Sequence, residues 1–203
     1  MLNTSGVYNN HMDTTEDYIR YLEGGTAVLE DYLLSSEMFW AIGVPAAEAG
    51  TELPRLTMGG LMLAWALARA GPKSAEQRRR FESVEARIEA VRKRWRVAWG
   101  RKCEHSFHTR LMMWRNFLEE YRSEPKQNAE RYPHEVRMRL MLHLLQKDAQ
   151  PIGEAELRLL STLDSLLRHV LRPGGFVWDA ERAGGFPPEE YWFLYGYLPR
   201  NLS

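Results

Sequence analysis

Apolar residues recur at helical spacing through the middle of the chain. One run comprises Phe81, Val84, Ile88, Val91, Trp95 and Ala98, at intervals of three and four residues. Such intervals place all members on one face of an α-helix. A second run of the same kind comprises Phe107, Leu111, Trp114, Leu118 and Tyr121. Together the two runs predict a long helix over residues 74–121.

The two runs do not share a phase. The step from Ala98 to Phe107 is nine residues, which is half a turn at about 100° per residue. Either the helix breaks near Gly100, or one helix buries opposite faces in its two halves. Because a single glycine costs only about 1 kcal/mol inside a helix, we favour one long helix, straight or kinked, that turns its buried face midway.

Capping and breaking residues predict the elements that precede the long helix. Thr57 is a candidate N-cap for an apolar helix over 58–70, which the Gly-Pro pair at 71–72 would end. Before it, a short helix is expected to begin at Asp13 or Thr14 and to stop at Gly24 and Gly25. A further helix is expected over 26–40, followed by a loop over 43–54.

Two further helices, over 133–148 and 154–171, follow the long helix, and the residues after 172 differ in composition. The aromatic segments FVWD and YWFLYGY, separated by glycines and prolines, are compatible with a two-stranded hairpin or an irregular strap. The sequence thus predicts an all-α, single-domain helical bundle of about six helices built on one long central helix. Residues 13–172 would form the bundle, 173–203 an aromatic strap packed on it, and 1–12 a disordered leader or tag remnant.

Charge changes this picture because it is unevenly distributed. The chain has 27 Lys and Arg and 27 Asp and Glu. Residues 1–56 carry nine Asp or Glu against two Arg, whereas residues 73–110 carry twelve Lys or Arg against five Glu. We expect the acidic N-terminal part to lie near the basic helix, within one subunit or between two.

Other features limit the class of protein. The most apolar window, residues 56–68, is shorter than the roughly 20 residues that cross a bilayer, and the N-terminus does not have the pattern of a secretory signal. The single cysteine, Cys103, indicates a fold that does not depend on disulfides. We therefore expect a cytoplasmic protein that does not bind membranes.

The basic part of the long helix is the first candidate site. Its residues Arg87, Arg92, Arg94, Arg96, Arg101 and Lys102 could bind a partner protein or nucleic acid. Lys and Arg bind phosphates and aromatic rings stack on bases, and Trp95, Trp99 and Phe107 lie among these cations. The zero net charge of the chain argues against nucleic acid.

Two further candidate sites carry different chemistry. Glu104, His105 and His108 have spacings that place them on one side of a helix, and with His134 or His143 they could bind a metal ion. No established metal motif contains them. In the C-terminal segment, Trp178, Tyr191, Trp192 and Tyr195 could line a ligand pocket, or could simply close the end of the bundle.

No catalytic arrangement and no cofactor is indicated, since the chain lacks a nucleophile motif, a phosphate-binding glycine loop and a dinucleotide fingerprint. The sequence favours a non-catalytic interaction or regulatory protein. Its partner would be a protein or a second copy, with self-association through the acidic N-terminal part and the basic helix. One alternative is a nucleic-acid-binding protein that uses the basic helix. The other is a metal-dependent enzyme with a site near Glu104, His105 and His108.

Overall fold

The computed structural model describes residues 12–43, 53–149 and 151–201. Within these ranges there are eight α-helices and one two-stranded antiparallel sheet. The helices are α1 (Thr15–Ala27), α2 (Leu29–Leu34), α3 (Met58–Ala70), α4 (Ala75–Arg94), α5 (Arg96–Ser123), α6 (Pro125–Asn128), α7 (Tyr132–Gln146) and α8 (Glu154–Val170), and the strands are β1 (Arg172–Phe176) and β2 (Tyr195–Tyr197). The predicted all-α bundle with an aromatic C-terminal hairpin is confirmed. The predicted leader lies almost wholly outside the described residues, as does most of the predicted loop over 43–54.

The predicted long helix is present as α4 and α5, with an interruption of one residue at Trp95. Trp95 has φ −110° and ψ 35° and serves as the C-cap of α4 and the N-cap of α5. The bonds Trp95 N to Val91 O (2.9 Å) and Trp99 N to Trp95 O (2.8 Å) continue the helical path on both sides. Gly100 is buried inside α5, so the alternative of a break at Gly100 is wrong.

The two halves of the long helix pack on different elements, but the predicted half-turn change of the buried face is not borne out, because the buried Phe81 and Trp99 are 18 residues apart, which is five whole helical turns. On α4, Phe81, Val84 and Ile88 are buried, and this helix packs on α1 and α3. On α5 the buried stripe begins at Trp99 and Cys103, earlier than the predicted start at Phe107, and α5 packs mainly on α7. Between the buried residues of α4 and those of α5, the side chains of residues 91, 95 and 98 are half-buried.

The prediction that Gly24 and Gly25 end the first helix is wrong, because α1 continues through both. Close packing explains these glycines. A Cβ atom on Gly24 would lie 2.6 Å from Cγ2 of Ile42, and one on Gly25 would lie 3.1 Å from Cδ1 of Leu56. The second helix also ends early, at Leu34 rather than at residue 40.

The start of α3 is buried, and its first amide groups all find acceptors. Thr57 is the N-cap, as predicted, and its hydroxyl accepts a hydrogen bond from Gly60 N (3.0 Å). Ser106 Oγ of α5 accepts from Gly59 N (3.0 Å), and Tyr32 OH of α2 accepts from Met58 N (3.1 Å). Because a buried donor without a partner is costly, these bonds fix how α2 and α5 meet α3. Among the described residues, no helix has both the length and the apolarity needed to cross a bilayer.

Candidate interaction surface

Two rows of opposite charge run beside each other. The acidic row consists of Glu16, Glu23, Glu30 and Glu37, and the basic row of Arg80, Arg87, Arg94 and Arg101. Members of each row are seven residues apart, a spacing that keeps residues of one helix on one side of it; Glu37 lies beyond the end of α2. The charge distribution predicts that the acidic N-terminal part lies near the basic helix. The acidic row belongs to the first of these parts and the basic row to the second.

The contacts between the rows lie within one chain. Arg80 donates to Glu23 through Nε (2.9 Å) and Nη2 (2.7 Å), and to Glu16 through Nη1 (2.7 Å). Further along, Arg94 lies 3.6 Å from Oε1 of Glu30. The hydrogen bonds that Arg80 donates to Glu23 are the largest cause of the raised pKa of Arg80. Burial raises the pKa of Glu16, but hydrogen bonds from Gln77 and Arg80 outweigh it, so that this pKa is lowered.

Two of the predicted binding cations are used by the fold itself. Lys102 is only 5% exposed; its ammonium lies 4.3 Å from the centre of the Tyr32 ring and donates to the carbonyl of Glu37. Burial lowers the pKa of Lys102. Arg92 pairs with Glu89 and with Asp148, which follows α7. The prediction that Lys102 contacts a ligand is therefore not supported, because its side chain points into the protein.

The other predicted cations remain at the surface. Arg87, Arg96 and Arg101 are exposed, and within the described ranges no hydrogen bond, ion pair or ring contact involves their side chains. Val97, four residues before Arg101 on the same face of α5, is 59% exposed. The basic segment thus combines unpaired cations with an exposed apolar side chain.

The segment containing α2 adds more apolar surface beside this helix. The contacts of Arg94 with Glu30 and of Lys102 with Glu37 place α2 and the residues after it along the first turns of α5. Leu34 at the end of α2 is 59% exposed and Phe39 is 45% exposed. We use the name junction face for five exposed residues of these neighbouring segments, Arg87, Val97, Arg101, Leu34 and Phe39.

The aromatic residues of the basic segment do not offer a stacking surface. Trp99 is 2% exposed and Phe107 is fully buried. Trp95 is half-buried, and the guanidinium of Arg94 lies over its ring at 5.3 Å. Bases would therefore find cations on this surface but few free rings, whereas single-stranded nucleic acid is usually held by both.

The residues predicted to bind a metal do not converge. His105 and His108 are exposed, and Nδ1 of His108 lies 2.8 Å from Oε1 of Glu156. Glu104 is half-buried and His134 is exposed. In the part of the chain that the structure describes, no group of three or more His, Cys, Asp or Glu residues could hold a metal ion. Cys103 is fully buried, and burial raises the pKa of its thiol.

The aromatic residues predicted to line a pocket make packing contacts instead. Trp178 Nε1 donates to Pro133 O (2.7 Å), and Tyr195 OH donates to Phe186 O (2.7 Å). Tyr191 packs edge-on against Phe186 with ring centres 5.2 Å apart. The guanidinium of Arg168 on α8 lies 3.7 Å from the centre of the Trp192 ring. These contacts support the alternative in which the segment closes the bundle.

A cluster of charged residues fastens the same segment to α7. Glu190 Oε1 lies 2.8 Å from His143 Nε2 and accepts from Lys147 Nζ at 2.7 Å. Burial lowers the pKa of His143, although the hydrogen bond with Glu190 acts in the opposite direction. The pKa of Glu190 is lowered, chiefly by the hydrogen bond from Lys147 and then by that from His143.

Sequence reasoning missed the acidic row and the role of Asp148. The signal for the row was available, since its spacing of seven residues matches that of the basic row. Nothing in the sequence singled out Asp148, which meets Arg92 only because α7 returns alongside α5. Comparison with protein-family models, with curated proteins and with solved structures finds no match to this chain.

Proposed function

We propose that this protein is a non-catalytic interaction protein that binds an acidic segment of another protein on its junction face. The observation that carries the proposal is that Arg87 and Arg101, which pair with no described residue, lie on segments that also carry the exposed apolar side chains of Val97 and Leu34. Cations around apolar side chains suit a segment with carboxylates around an apolar anchor.

A different protein is favoured over a second copy as the partner, because carboxylates of the acidic row already pair with arginines of the same chain. Self-association through opposite charges would need the acidic row, but Glu16 and Glu23 are held by Arg80 and Glu30 lies beside Arg94. A second copy would have to break these contacts before it could offer the same groups. An acidic segment of a different protein has no such cost.

Nucleic acid is the second candidate, because the free guanidinium groups of Arg87, Arg96 and Arg101 are suited to phosphates. The protein partner is preferred over it for two reasons. The exposed Val97 and Leu34 side chains offer nothing to a phosphate backbone, and the rings of Trp99 and Phe107 are buried.

The test is a binding titration with defined probes. A labelled amphipathic peptide with Glu and Leu on one helical face is compared with a scrambled peptide of the same composition and with a single-stranded oligonucleotide, at low and moderate salt. We expect the amphipathic peptide to bind most tightly. The double variant Arg87→Glu/Arg101→Glu should weaken its binding by about tenfold or more.

The matched control is Arg78→Glu/Arg79→Glu, which changes the net charge equally at two exposed positions of α4 and should leave binding nearly unchanged. Equal losses in both double variants, or no binding of the peptide at low salt, would overturn the proposal. Tighter binding of the oligonucleotide would favour the second candidate. A dimer in native mass spectrometry that only Arg87→Glu/Arg101→Glu dissociates would identify a second copy as the partner.

A further inference from the structure

A cleft on a different side of the α4–α5 interruption has the features of a ligand site. It has a volume of about 540 Å³ and lies between the end of α4, the start of α5 and the segment that follows α7. Its lining residues are Glu89, Arg92, Lys93, Arg96, Trp99, Lys147, Asp148, Ala149 and Pro151. This volume is within the range of small-molecule sites.

The charges that line this cleft leave two cations free. Both lining carboxylates, Glu89 and Asp148, are occupied by Arg92. Lys93 and Arg96 are exposed and have no hydrogen bond or ion pair with any other described residue. The cleft is therefore lined by Lys93 and Arg96, which pair with no described residue, and by the ion pairs that Arg92 makes with Glu89 and Asp148.

Hydrogen bonds hold Asp148 in place in the cleft, as expected of a preformed site. The Asp148 side chain is only 8% exposed. It accepts hydrogen bonds from Arg92 and, at 3.2 Å, from Nε1 of the buried Trp99.

The carboxylates that line the cleft determine how much negative charge a ligand needs in order to bind. Asp148 and Glu89 repel an anion, so a singly charged ion gains little by entering. A ligand with several negative charges can contact Lys93 and Arg96 together and so outweigh that repulsion.

We propose that this cleft binds a small polyanion, with Lys93 and Arg96 as its principal contacts. Phosphoryl chains and polycarboxylates share this chemistry. The site is separate from the junction face, because Arg96 and Arg101 are five residues apart on α5 and so point about 140° apart around its axis.

The test is isothermal titration calorimetry of the full chain at low ionic strength with pyrophosphate, ATP and citrate as separate probes. We expect pyrophosphate to bind saturably at one site. Lys93→Gln/Arg96→Gln should lose about tenfold or more in affinity, whereas the matched control Arg78→Gln/Arg79→Gln should keep wild-type affinity. All four positions are exposed, and circular dichroism confirms that the variants fold.

The three probes distinguish recognition of phosphoryl groups from recognition of charge. Binding of pyrophosphate and ATP without citrate identifies phosphoryl groups as the recognised chemistry, and equal binding of citrate identifies charge alone; both support the site. The absence of saturable heat with every probe, or equal losses in the two double variants, overturns it. The variant Arg87→Glu/Arg101→Glu should still bind pyrophosphate, so failure of the junction face and failure of this cleft are distinguishable.

Discussion

Removal of the Asp164 carboxylate should destabilise the protein more than loss of an ordinary surface ion pair. Asp164 on α8 accepts two bonds of 2.7 Å from Nε and Nη2 of Arg139 on α7. The Arg139 side chain is 7% exposed and that of Asp164 is 22% exposed. In Asp164→Ala the guanidinium would stay buried without its counterion, next to the Phe193 ring at 4.5 Å.

The expected magnitude follows from these exposures. Breaking a fully buried pair costs about 3–5 kcal/mol. Water at the partly exposed Asp164 position and the retained ring contact offset some of this cost, so we expect a loss of about 2–3 kcal/mol in the free energy of unfolding. For a chain of 203 residues this lowers Tm by about 5–10 °C.

Urea denaturation followed by circular dichroism measures the change. Arg158→Ala is the control, because its pair with Glu154 is highly exposed and should be worth less than about 0.5 kcal/mol. The double variant Arg139→Met/Asp164→Leu, which removes both charges, should be more stable than Asp164→Ala. An Asp164→Ala variant as stable as Arg158→Ala would refute this reasoning.

Three further changes test other parts of the structure. Ser106→Ala removes the acceptor of the buried Gly59 amide and should cost about 1–3 kcal/mol in urea denaturation; an unchanged midpoint would contradict the described α3–α5 contact. Gly24→Ala should destabilise despite the higher helix propensity of alanine, by about 1–3 kcal/mol, because its Cβ would lie 2.6 Å from Ile42; a rise in Tm would show that α1 and Ile42 are not packed this closely. Because the pKa of His143 is lowered from 6.5 in the folded state, the unfolded chain takes up this proton first, and stability should fall as pH drops through about 6.5. His143→Gln should flatten that part of the curve of Tm against pH, and an unaltered slope would count against this assignment.

The helical framework was predictable because it depends on local signals. The runs that begin at Phe81 and Phe107 predicted a long helix, and the Thr57 cap predicted the start of α3. The errors arose where tertiary packing outweighed a local preference. Gly24 and Gly25 read as a helix end, yet they lie in α1 because Ile42 and Leu56 pack against them.

The candidate surface was only partly predictable for the same reason. The sequence located the basic segment but could not separate Lys102, which points inward, from Arg101 beside it. The burial of Lys102 depends on the position of α2, and the pairing of Arg92 depends on the return of α7 to Asp148. These are long-range contacts, and a pattern along one helix carries no information about them.

The central structural claim is that the acidic and basic rows pair within a single subunit and leave the junction face free. Thermal unfolding of a charge exchange, measured at two protein concentrations, tests it most directly. Arg80→Glu should lower the unfolding free energy by about 1 kcal/mol, and the added changes Glu16→Arg and Glu23→Arg should restore most of it at both concentrations. No recovery in the triple variant, or a recovery that appears only at high protein concentration, would contradict pairing within the subunit.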